Sequence, residues 1–153
     1  MKGKKWRGPL LLLAAAVLVG LGLWRGLYRG VTPLPLRTAE AKTYAAQVEA
    51  RGAERVSVRY AYPQQVVIGI RGKLTEEVRG EILDLTAEML QDPGFKLHFS
   101  EAHARRYRNV EVFPLLPEGG KAYAPACVRV SFQTPGEPVP EEFLCTYPFE
   151  TWT

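Results

Sequence analysis

Between Pro9 and Trp24 the chain runs sixteen residues, PLLLLAAAVLVGLGLW, without one charged side chain. A soluble core does not demand such a run, and its composition predicts a helix that enters lipid. Trp6 and Trp24 bracket it. At 1.5 Å per helical residue they lie about 27 Å apart, close to a bilayer's hydrocarbon thickness, so the two indoles suit opposite interfaces. Lys2, Lys4, Lys5 and Arg7 precede the run, whereas only Arg25 and Arg29 follow it. That imbalance predicts a cytoplasmic N-terminus and an extracytoplasmic remainder. The expected organisation is a basic cytoplasmic tail over residues 1–8, a transmembrane signal-anchor over 9–28, a Pro-containing linker over 29–37 and an extracytoplasmic domain over 38–153. The protein would then cross the cell membrane once. The alternative is a cleaved secretory signal, with Gly20-Leu21-Gly22 as the processing site and a secreted domain as the product.

The formal charge of +4 resides in the first thirty residues, which hold six basic side chains and no acid. The remainder holds fourteen basic against sixteen acidic residues. A domain of net charge −2 lacks the overall basic balance of a duplex-binding protein, so nucleic acid is not an expected partner.

The pattern after Leu36 predicts an α+β fold with two layers. Thr38 suits an N-cap, and Ala41, Tyr44, Ala45 and Val48 form an apolar stripe ahead of Gly52. Val56, Val58, Tyr60 and Tyr62 alternate along one strand, and Val66 to Ile70 is almost wholly apolar, as in a central strand. Residues Pro63-Gln64-Gln65 are expected to connect them, with Tyr62 opposite Val66. Thr75 caps the next helix, with Val78, Ile82, Leu85 and Met89 on its buried face and Pro93-Gly94 as its stop. Phe95, Leu97 and Phe99 alternate with Lys96, His98 and Ser100, which predicts a third strand reached by a parallel crossover. Asn109 to Phe113, Cys127 to Gln133 and Glu142 to Tyr147 complete the order as three further strands.

A hairpin symmetric about Gly136 would place Cys127 opposite Cys145. In an extracytoplasmic setting that predicts a disulfide closing a loop of about 19 residues, stabilising by about 3 kcal/mol in the chain-entropy model. His98, Glu101 and His103 supply three possible zinc ligands within six residues, but on a strand end they lack a shared direction, and no metal or cofactor is expected. Arg105, Arg106 and Arg108 around Tyr107 are candidate contacts for a protein partner or an anionic lipid. None of Ser57, Ser100 and Ser131 sits in a G-x-S-x-G elbow, and no phosphate-cradling glycine loop occurs.

From Thr38 to Phe99 the α-β-β-α-β order, read from Val56 to Tyr62, Val66 to Ile70 and Val78 to Met89, is similar to the ring-building domains of bacterial secretion systems and sporulation channels. That resemblance implies self-assembly, with a helix of one copy packed on a neighbour's sheet; the strands after Asn109 depart from the pattern. The expected function is a membrane-anchored, extracytoplasmic interaction or assembly scaffold without catalysis. Its expected partners are membrane lipid and other membrane or extracytoplasmic proteins, a second copy among them. The alternative is a small exported enzyme or ligand-binding domain with a polar site near His98, Glu101 and Arg106.

Overall fold

The computed structural model describes residues 7–29, 33–62, 64–107, 123–145 and 152. The chain divides into two units, Met1–Thr32 and Pro33–Thr153. The first contains one helix, α1 (Arg7–Arg29). Among the described residues no helix is long and apolar enough to cross a membrane. This overturns the single-pass arrangement, and with it the signal-anchor, the extracytoplasmic placement and the interfacial roles of Trp6 and Trp24. The shortfall has a physical reason. The charge-free run spans only about 24 Å as a helix, against the roughly 20 apolar residues that a hydrocarbon core of about 30 Å requires. Trp24 is an exposed residue of α1, and Trp6 lies outside the described residues.

The second unit is an α+β domain. Its elements are β1 (Leu34–Pro35), α2 (Ala39–Glu49), β2 (Arg55–Ala61), β3 (Gln65–Arg71), α3 (Glu76–Gln91), α4 (Pro93–Tyr107), β4 (Cys127–Gln133) and β5 (Glu141–Cys145). The five strands form one sheet in sequential order. Every neighbouring pair is antiparallel except β3 and β4, which run parallel. A parallel partner requires a long crossover, and here that path contains α3 and α4. The expected linker is partly a strand: Leu34 pairs with Tyr60, and Leu36 is buried.

Helix starts follow their local chemistry. Thr38 Oγ1 accepts from the Ala41 amide at 3.1 Å, and Thr75 Oγ1 accepts from the Val78 amide at 3.3 Å. Each satisfies a donor that has no partner inside the first turn. In the β2–β3 hairpin Tyr60 pairs with Val66 and Ala61 with Gln65, a register two residues from the expected one. A shift of two keeps side chains on the same faces. Three-residue hairpins need one left-handed residue, and Gln64 supplies it with φ 49°.

Residues 95–99 are not a strand. Asp92 ends α3 and begins α4, its Oδ1 accepting from the Gly94 amide at 2.8 Å and the Phe95 amide at 3.1 Å. Pro93 is then the first residue of α4, where a missing N–H costs nothing. Phe95, Phe99 and His103 follow at intervals of four and are buried, whereas Leu97 is 54% exposed. The expected strand Asn109 to Phe113 lies outside the described residues.

All three helices cover one face of the sheet. The core joins Val58, Tyr60, Val66, Ile68, Ile70, Val128, Val130 and Phe132 from strands to Tyr44, Val48, Ile82, Leu90, Phe95 and Phe99 from helices. Burying each large side chain contributes about 1.5–3 kcal/mol. Two hydrogen bonds place polar groups in this layer: Tyr44 Oη lies 2.9 Å from Thr86 Oγ1, and Tyr60 Oη lies 2.9 Å from His103 Nδ1.

The β4–β5 register corrects the expected disulfide. Cys145 pairs with Val128 and Phe143 with Val130, one residue from the symmetric hairpin. A slip of one moves a position to the opposite face, so Cys127 and Cys145 do not oppose each other. Cys127 is a free, half-buried thiol.

Candidate functional site

Within the domain, α2, α3 and α4 all lie on one face of the sheet, and strand register lays out the side chains of the opposite face in rows. One row runs Pro35, Arg59, Val67, Arg129 and Leu144 across all five strands. The next runs Ser57, Gly69, Ser131 and Glu142, and the third runs Arg55, Arg71 and Gln133. Small residues therefore occupy the middle row on β2, β3 and β4, Glu142 fills it on β5, and two arginines lie on each side of it.

This arrangement makes a depression of about 210 Å³, lined by Arg55, Ser57, Gly69, Arg71, Ser131 and Gln133 among others. Its floor is low because Ser57 Oγ donates back to the Gly69 carbonyl at 3.4 Å and Ser131 Oγ to the Ile68 carbonyl at 3.3 Å. Space at Gly69 is tight: a Cβ there would come within 2.9 Å of Ser57 Oγ, which would have to rotate away.

The electrostatics are unbalanced. Arg55 and Arg71 are direct cross-strand partners, an arrangement in which like charges repel. Glu54 lies 3.8 Å from Arg71, and Glu142 lies 3.8 Å from Arg129, so each relieves part of that charge. Among the described residues no acidic side chain comes within ion-pair distance of Arg55 or Arg59. Both are exposed. What the face presents is therefore a concentrated cationic surface on a domain whose overall balance is slightly acidic.

The residues singled out from sequence are dispersed around α4. His98 Nδ1 lies 3.2 Å from Glu40 Oε2, and Arg105 Nη2 lies 3.3 Å from Glu101 Oε2. His103 turns to the core, where it packs on Tyr123 with ring centroids 4.4 Å apart. Burial lowers its pKa. The Glu40 carboxyl is held below the usual carboxylate range by a hydrogen bond from its own backbone amide, by Thr38 and by His98. Among the described residues no three metal-ligating side chains cluster. Arg105 and Arg106 lie in the last turn of α4, where cations complement the helix dipole. Arg105 is exposed, Arg106 is half-buried, and Arg108 lies outside the described residues. His98 and Arg105 line one depression with Leu34, Leu36 and Thr38.

The sequence carries only a partial signal for the four sheet arginines. Once Val56, Val58 and Tyr60 face inward, Arg55, Ser57 and Arg59 face outward by alternation alone. The apolar run Val66 to Ile70 hid the rest, because it reads as a strand covered on both faces. No family model, curated protein or solved structure matches the chain.

Proposed function

We propose that this chain is a protein-interaction module that acts without catalysis and docks an acidic protein surface on the open face of its sheet. One observation carries the reading: Arg55, Arg59, Arg71 and Arg129 surround the Ser57-Gly69-Ser131 floor, and among the described residues only Arg71 and Arg129 have nearby carboxylates. Guanidinium groups in fixed positions bind carboxylates through paired hydrogen bonds and steer a partner of opposite charge during encounter. No described position in these rows carries an aromatic ring on which a base could stack, which favours protein over single-stranded nucleic acid.

The test places a photo-crosslinking amino acid at Ser57 in the full chain within its native cell. Capture of a protein from this position, lost when Arg55 and Arg59 are both changed to Glu, is the expected result. Absence of any capture from Ser57, with efficient capture elsewhere on the chain, would sink the reading.

A further inference from the structure

We infer that the acidic group received in the depression on the sheet is a phosphorylated side chain of a partner protein, a phosphoserine or phosphothreonine, rather than a carboxylate. The inference rests on the docking role of the sheet face and adds the chemistry of the group recognised there.

Arg55, Arg59 and Arg71 line the same depression of about 210 Å³. Arg55 and Arg71 are paired across β2 and β3, Gln133 stands beside Arg71 on β4, and Arg59 lies on the other side of Ser57 along β2. Between them Ser57, Gly69 and Ser131 carry no long side chain, so a group from outside can descend to the level of the sheet. The space is smaller than the roughly 300 Å³ at which pockets for whole small molecules begin. It suits one compact group presented on a chain. Both strands under the arginines are held along seven paired positions, which fixes where each guanidinium starts from.

Charge decides which group that is. Among the described residues the sole carboxylate within ion-pair distance of these three arginines is Glu54, 3.8 Å from Arg71. Both side chains of that pair are more than half exposed, so it is weak and gives way to a better acceptor. An incoming carboxylate brings one negative charge and two oxygens, which a single guanidinium satisfies, and leaves most of the repulsion between Arg55 and Arg71 in place. A phosphoryl monoester brings about 1.5–2 negative charges at pH 7 and three strong acceptor oxygens on one atom. Several guanidiniums can then bond it at once, which is how arginine clusters read phosphorylated side chains. Ser57 and Ser131 donate to carbonyls at 3.4 and 3.3 Å, long for a hydroxyl, so either can turn outward to an oxygen of the guest.

The test measures binding of fluorescent peptides to the full chain by polarisation. The peptides share randomised flanks and differ at one central position, which is phosphoserine, Glu or Ser. The phosphoserine peptides should bind about tenfold or more tightly than the Glu peptides, since they engage a second guanidinium through charge-assisted hydrogen bonds. Arg55→Gln with Arg71→Gln should abolish that preference. Arg55→Lys with Arg71→Lys should lose most of it, because lysine keeps the charge and cannot form the paired bonds. Both positions are exposed, and circular dichroism confirms that each variant is folded. Equal binding of the phosphoserine and Glu peptides, a preference indifferent to both double variants, or no binding of phosphoserine peptides by a chain that sediments with vesicles of anionic phospholipid would each overturn the inference. Crosslinking from Ser57 separates it from the broader reading. Captured protein segments that carry no phosphate would remove the phosphoryl specificity and leave the docking face standing; no capture would remove both.

Discussion

Replacing Phe99 and Leu97 separately by alanine tests the helical assignment of α4 directly. In a strand the two residues would share one face and carry similar burial. In the helix they lie two residues, or about 200°, apart. Phe99 has no exposed surface, packs 5.5 Å from the Tyr60 ring and 5.8 Å from the Trp152 ring, and loses both contacts on truncation. Phe→Ala at a buried site costs about 3–5 kcal/mol, combining lost transfer free energy with the cavity left behind. Leu97 is 54% exposed. Its truncation should cost less than about 1 kcal/mol, near the range of surface changes. Urea denaturation of both variants supplies the comparison, with the slope of the transition checked for constancy. Phe99→Ala would remove a large share of a typical domain stability of about 5–15 kcal/mol, so Phe99→Leu provides a milder version that stays folded. Equal losses at the two positions would refute the helix and restore the strand.

Asp92→Ala should destabilise the domain by about 1 kcal/mol through loss of the α4 cap, and hydrogen exchange at the Gly94 and Phe95 amides should accelerate; unchanged exchange there would contradict the capping role. The lowered pKa of His103 means that the unfolded chain binds its proton more readily. Stability from this group is therefore fully present above the unfolded value of about 6.5 and is lost as pH falls through the folded one. Midpoints measured from pH 7.5 downward should decline more steeply in the native chain than in His103→Gln, and parallel curves would refute the assignment. Reductant should leave the melting midpoint unchanged, since Cys127 is free and Cys145 is out of register with it; a loss near the roughly 3 kcal/mol of a closed loop would reinstate the bridge.

What was legible in the sequence is what neighbouring residues settle among themselves. The Thr38 and Thr75 caps, the alternation of β2 and the apolar periodicity of α3 depend on contacts within a few residues, and the sequence alone determined them. The α4 helix was illegible because its buried side includes Ser100, which reads as the outward side of a strand, and His103, to which a strand end gives no fixed direction. Only tertiary structure supplies the Tyr123 amide that Ser100 Oγ accepts from and the Tyr60 hydroxyl beside His103. The same holds for the sheet face. Alternation shows that Arg55 and Arg59 share a side of one strand and the β2–β3 hairpin sets Arg71 beside Arg55, but their meeting with Arg129 depends on a parallel pairing between strands that are more than fifty residues apart. One residue of slip in that pairing would send Arg129 into the core. Register across a long crossover is decided by how the whole core packs, and that is why the cationic face belongs to the fold rather than to any segment of the chain.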